Sequence, residues 1–112
     1  MKKLWVLLLV SFLWTVSCSP KPDIKKLTQQ ANQGNAKAQF NLGWMYYFGR
    51  GVPQDDVQAM KWFILAAAQG YVNVAKNRDR VAERMGAQQL TQAEELARNW
   101  KSKKRIKDEG LN

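Results

Sequence analysis

The chain predicts an all-α protein, a short α-solenoid of antiparallel helical hairpins with about five helices, and three observations carry that expectation. First, residues recur at a spacing of 36: Ile24, Leu27, Ala31, Gln33 and Gly34 are answered by Met60, Phe63, Ala67, Gln69 and Gly70. Internal periods of roughly 20 to 50 residues mark stacked helical units, none of which buries its apolar face without a neighbour. Second, the stretch between the two copies holds two apolar stripes at helical spacing, parted by Gly49, Gly51 and Pro53. Third, Gly43 sits in the middle of the first stripe. It costs a helix about 1 kcal/mol against Ala, which close helix approach would offset.

The elements follow in order. From Asp23 to Gln33, Ile24, Leu27 and Ala31 mark a short amphipathic helix in the second-helix position of a degenerate preceding unit, expected to cap one end of the stack. Ala38, Leu42, Met45 and Tyr46 then share one helical face. Gly49 and Gly51 permit a turn with positive φ, and Pro53 prevents the helix from continuing. Asp55 with Gln58 reads as a capping box that starts the next helix. Its stripe, Ala59, Trp62, Phe63, Ala66 and Ala67, runs to a cap at Gly70. Beyond Gly70 the repeat decays, with Arg78 standing 36 residues after Leu42. Val74, Val81 and Met85 still predict a helix, with Ala82 nearby and Gly86 as its stop. Thr91 and Glu94 give a second capping-box signature before Ala93, Leu96, Ala97 and Trp100. One full unit thus lies between divergent caps. The terminal helices either close a small bundle, or leave an edge for a partner or a second copy to cover.

The segment Ala38 to Asp55, with Ala59, Trp62, Phe63, Ala66, Ala67 and Gly70, closely resembles the Sel-one-like repeat, a relative of the tetratricopeptide repeat. That pattern runs A-x-x-x-L-G-x-x-Y-x-x-G-x-G-V-x-x-D, then A-x-x-W-(Y/F)-x-x-A-A-x-x-G. It fills one unit, about Ala36 to Tyr71, and flanking segments match only in part. The resemblance implies an adaptor or scaffold role and names no ligand.

The N-terminus carries a different signal. Lys2 and Lys3 precede an uncharged, largely apolar run from Leu4 to Val16, short for a bilayer span and suited to a secretory signal peptide. Thr15-Val16-Ser17-Cys18 resembles a bacterial lipobox, although Thr15 stands where Leu is usual. The resemblance implies cleavage before Cys18, a diacylglyceryl thioether on its sulfur, and anchoring in a bacterial envelope. Ser19 resembles the outer-membrane sorting pattern of enteric-type bacteria, so the expected location is the periplasmic face of the outer membrane. Cys18 could instead be an incidental thiol or await an intermolecular disulfide. The expected organisation is a signal peptide (1–17), lipidated cysteine and tether (18–22), helical domain (23–100) and basic C-terminal tail (101–112).

The chain has no histidine and one cysteine, which is expected to be acylated, so the usual nucleophile–base pairs and His/Cys metal sites cannot be assembled. Asp55-Asp56 and Glu94-Glu95 lie where carboxylates complement helix starts. No enzyme, cofactor or metal is expected. Function is sought instead on the surface. Trp44 to Phe48 is a run of five bulky residues that one helix cannot bury in one interface. With Leu42, Met45 and Tyr46 inward, Lys37, Asn41, Trp44 and Phe48 form another stripe, and Tyr47 adjoins it. In tetratricopeptide-like stacks the first helices line the concave surface, so this resemblance makes those residues candidate contacts for a protein partner. The alternative is that these aromatics are core. Arg98, Lys101, Lys103, Lys104, Arg105 and Lys107 put six cations and no acid in one run of a chain whose formal charge is +9. Export argues against nucleic acid. The run could touch anionic lipid headgroups or cell-wall polymer, or form a solvated helix end. A further reading is inhibition of an envelope-acting enzyme by occlusion.

Overall fold

The computed structural model describes residues 23–71 and 73–110, and the expected signal segment, Cys18 and tether lie outside them. Five helices occur among the described residues: α1 (Ile24–Asn32), α2 (Ala36–Phe48), α3 (Asp56–Ala68), α4 (Val74–Ala82) and α5 (Ala87–Asp108). No strand occurs among those residues. The all-α fold is that of a short solenoid, with α2 and α3 as its complete hairpin.

The 36-residue period is reproduced in the backbone. At the end of α1 the Gly34 and Asn35 N–H groups donate to the carbonyls of Ala31 and Gln30, both at 3.1 Å. At the end of α3, Gly70 and Tyr71 donate to Ala67 and Ala66, at 2.9 and 3.2 Å. Both are Schellman closures, which satisfy orphan carbonyls through a left-handed residue. Gly34 and Gly70 hold φ of 98° and 77° to make them.

The α2–α3 connection is tied differently. Gly49 ends α2 in the left-handed region, and its N–H bonds Met45. The Tyr46 carbonyl is left for the Asp55 N–H, at 3.0 Å. Asp55 caps α3 by accepting the Gln58 N–H at 3.1 Å. Its own N–H is already taken by Tyr46, so the expected reciprocal bond from the Gln58 side chain is not made and the box is only half formed.

Helix α3 is the hub, with α2, α4 and α5 packed on it. A Cβ on Gly43 would stand 2.7 Å from Phe63 Cε1, so the mid-helix glycine marks the close α2–α3 approach that the sequence predicts. One core cluster gathers Phe63 and Met60 with Val74 and Val81 of α4 and Ala93 of α5. A second joins Ala31, Leu42, Trp62, Leu65 and Ala97. The two are the layers of the stack. Between them Gln39 is fully buried, its amide donating to the Ala31 carbonyl at 3.1 Å and its oxygen accepting from Gln69 Nε2 at 2.8 Å. One side chain thereby links the ends of α1 and α3 to α2 and leaves its buried oxygen satisfied.

Two expectations beyond Gly70 need correction. Helix α4 stops at Ala82, and Gly86, expected to end it, is the N-cap of α5. Gly86 is extended and its N–H donates to Gln89 Oε1 at 3.3 Å. Thr91 therefore does not cap: it lies one turn inside α5, where its hydroxyl donates to the Ala87 carbonyl. Helix α5 then runs through residue 100 without a break, so residues 101–108 of the expected tail are helix. No Gly or Pro interrupts residues 87–109, and Lys and Arg are good helix formers. Arg105 and Lys107 complement the C-terminal dipole, and Lys104 pairs with Asp108 one turn on. The helix returns across the stack: Trp100 packs edge-on against Trp62, and its indole N–H reaches Asn32 Oδ1 at 3.4 Å. The terminal helix closes the bundle on that side.

Candidate functional site

Helix α2 places its aromatic residues by helical spacing. Phe40, Trp44, Tyr47 and Phe48 fall three or four residues apart or adjacent, so their rings meet along one side and over the C-terminal end. Trp44 is half-buried rather than free. Its ring meets Phe40 and Phe63 edge-on at 6.2 and 5.5 Å, which ties it to the α2–α3 core. Phe48 stacks on the outer side of Trp44, with centroids 5.3 Å apart and planes 13° from parallel. Phe48 is 58% exposed, the largest exposure of any large apolar side chain among the described residues. The result is an aromatic shelf whose root lies in the core and whose edge lies in solvent.

Cations border the shelf. The Arg84 guanidinium lies 3.8 Å from the Tyr47 ring centroid, donates to the Tyr47 carbonyl, and pairs with Asp56. Arg50 lies 5.6 Å from the Phe48 centroid and is in no ion pair among the described residues. Such cation–π contacts contribute about 0.5–1 kcal/mol at exposed sites. Of the five residues expected to contact a partner, Trp44, Tyr47 and Phe48 come together. Lys37 is exposed and Asn41 half-buried farther back on α2, and neither makes a side-chain hydrogen bond among the described residues. Sequence reasoning missed Arg84, which sits 37 residues beyond Tyr47 in a segment where the repeat has decayed. It also missed Phe40, whose ring lies 5.0 Å from that of Tyr71.

On the opposite edge, Lys61 lies over Trp62 with its ammonium 4.2 Å from the ring centroid, and burial pushes its pKa down. The six basic residues of α5 divide between its flanks. Arg98, Lys101, Lys103, Arg105 and Lys107 are exposed, whereas Lys104 folds inward over Gly34. Among the described residues no group of three or more His, Cys, Asp or Glu could hold a metal ion. No helix among them is long and apolar enough to cross a membrane.

The fold and its aromatic shelf define a helical-repeat protein. Residues 36–71, the α2–α3 hairpin with its closing turn, match the Sel1 repeat family. The chain is similar to the ERAD-associated E3 ubiquitin-protein ligase component HRD3A of Arabidopsis thaliana, 43% identical over 49 residues, which are 43% of this chain and 7% of that protein. It is likewise similar to the secretory immunoglobulin A-binding protein EsiB of Escherichia coli O6:H1, 44% identical over 41 residues, 37% of this chain and 8% of that protein. The chain therefore spans under a tenth of the length of either relative, and the likeness concerns the repeat.

Proposed function

We propose that the chain is a protein-docking module, in which the α2–α3 hairpin presents Phe48, backed by Trp44 and Tyr47, to a protein partner. The single observation that carries this reading is the Phe48 ring, exposed yet stacked in a fixed orientation on a core-rooted tryptophan. Aromatic and Arg side chains held rigidly lose little entropy on contact and dominate interface energetics. The match to the Sel1 repeat supports the same reading, because one relative is named as a binder of immunoglobulin and the other as a component of a ligase assembly. We further propose that residues 1–17 are removed on export and that acyl chains on Cys18 hold the module at the periplasmic face of a bacterial outer membrane. The apolar run before Cys18 supports this, and each buried methylene of an acyl chain adds about 0.8 kcal/mol.

Two experiments test the two parts. A photo-crosslinking residue at Phe48 in the full chain, compared with one at exposed Lys76 on α4, is expected to trap one protein from position 48 alone. Equal products from both positions, or none from position 48 in folded protein, would refute the shelf. Separately, Cys18→Ser is expected to abolish lipid labelling and release the protein from membranes. Retention of the label would refute the anchor.

A further inference from the structure

A helix ends on carbonyls that have no partner within it. At the end of α2 the chain that follows serves two of them: Met45 accepts from the Gly49 and Arg50 N–H groups, and Tyr46 from the Asp55 N–H. The Tyr47 carbonyl is served from outside the hairpin. Arg84, in the connection between α4 and α5, donates to it from Nη2 at 3.2 Å, and the same nitrogen pairs with Asp56 in the first turn of α3. One guanidinium thus lies between the negative end of α2 and a carboxylate of α3, both of which attract it. Its position is fixed from two sides.

The Tyr47 ring stands against that guanidinium, with Arg84 Cζ 3.8 Å from the ring centroid. The same ring meets Trp44 and Phe48 edge-on, at 5.4 and 4.9 Å and with planes 90° and 87° apart. Trp44 and Phe48 lie nearly parallel to each other, so Tyr47 forms a side wall to both. Trp44 has further ring contacts with Phe40 and Phe63, whereas Phe48 has Trp44 and Tyr47 alone as aromatic neighbours among the described residues. The exposed ring of the shelf therefore owes its orientation to Tyr47, and Tyr47 is backed by Arg84. An ion pair with a partly exposed guanidinium adds little stability by itself, and the ordering of Tyr47 is its larger consequence. We propose that Arg84 is the positioning residue of the shelf: through Tyr47 it holds Phe48 on Trp44 in the orientation that a partner meets. The inference rests on the shelf as the docking surface, and adds that the α4–α5 connection, where the repeat has decayed, sets its geometry. Lysine cannot take the place of Arg84, since it could pair with Asp56 but has no plane to lie over the ring while donating to the carbonyl.

The test is NMR of the full chain in detergent with its phenylalanines isotope-labelled. The Trp44 ring is expected to displace the Phe48 ring protons upfield. Arg84→Met and Arg84→Lys should each lose most of that displacement, while the circular dichroism spectrum and the urea midpoint stay near those of the unaltered chain. Tyr47→Phe, which keeps the ring, should leave it in place. Tyr47→Leu should lose it, and Arg84→Met in that background should add no further change, because Arg84 acts through the ring. Docking is read from a photo-crosslinking residue at Arg50, which leaves the three rings native, and the yield of trapped protein is expected to fall about tenfold with Arg84→Lys. An unaltered chain without the upfield displacement, a displacement kept by Arg84→Met, full rescue by Arg84→Lys, or a further loss in the Tyr47→Leu background would each overturn the proposal. No capture from position 50, with the shifts as expected, would refute the shelf as a docking surface while upholding the hold of Arg84 on Phe48.

Discussion

Replacing Gly43 with Ala sets two effects of known sign against each other. In an exposed helix interior the change would stabilise by about 1 kcal/mol, since Ala has the higher helix propensity. Here the new methyl group would stand 2.7, 2.8 and 3.1 Å from three atoms of the Phe63 ring. That ring is fully buried and has aromatic neighbours in Phe40 at 5.8 Å and Trp44 at 5.5 Å, so it has little room to withdraw. Overpacking of this kind costs about 1–3 kcal/mol. With propensity subtracted and the ring held, Gly43→Ala is expected to destabilise by up to about 2 kcal/mol. Urea unfolding followed by circular dichroism measures this. The cause is isolated by a double-mutant cycle with Phe63→Leu, whose smaller side chain makes space. Residues in contact commonly couple by about 0.5–3 kcal/mol, so Gly43→Ala should cost clearly less in the Phe63→Leu background. An additive pair, or a stabilised single variant, would refute the reasoning that close helix approach requires this glycine.

Other consequences can be measured in the same way. Gln39→Leu leaves the Gln69 amide without its acceptor and should lower unfolding free energy by about 1–3 kcal/mol, read by urea midpoint. Asp55→Ala removes the α3 cap and should cost about 1 kcal/mol by the same assay. Phe48→Ala should change stability by no more than about 0.5 kcal/mol while abolishing partner capture, a separation that a core role for Phe48 would not give. Burial lowers the Lys61 pKa in the folded state, so between that value and the ordinary lysine pKa the unfolded chain binds more protons. Stability should therefore rise with pH across that alkaline window, and Lys61→Met should flatten the rise in a comparison of unfolding curves.

The architecture was legible where a local pattern had one physical meaning. The 36-residue echo, the Gly43 contact and the Gly70 closure depend on backbone geometry and small-residue sterics, and each has its counterpart in the structure. Boundaries failed where two residues competed for one role. Gly86 reads equally as the end of one helix or the start of another, and only its extended conformation and the bond to Gln89 decide between them. Thr91 and Glu94 have capping-box spacing, but a helix already started at Ala87 leaves the Thr91 hydroxyl to bond back one turn. The aromatic shelf was half legible. Helical spacing groups Trp44 with Phe48, yet the burial of Trp44 depends on Phe63 in the next helix, and Arg84 arrives from a segment with no repeat signature. Gln39 was unreadable as a linker because its partners lie on two other helices.

The return of α5 across the stack also dictates when this protein can finish folding. Its Trp100 meets Asn32 across 68 positions of chain, and Ala97 shares a cluster with Ala31. A chain that emerges from its N-terminus can pack α1 on α2 early, but the contacts that α5 makes with the end of α1 form only when nearly all of it has appeared. Local hairpin contacts between α2 and α3 can form early, whereas loop closure makes the distant ones late. The interval before α5 arrives is the period in which the Trp62 side of α3 lacks its cover and is open to other chains, and a shortened α5 would prolong that period indefinitely.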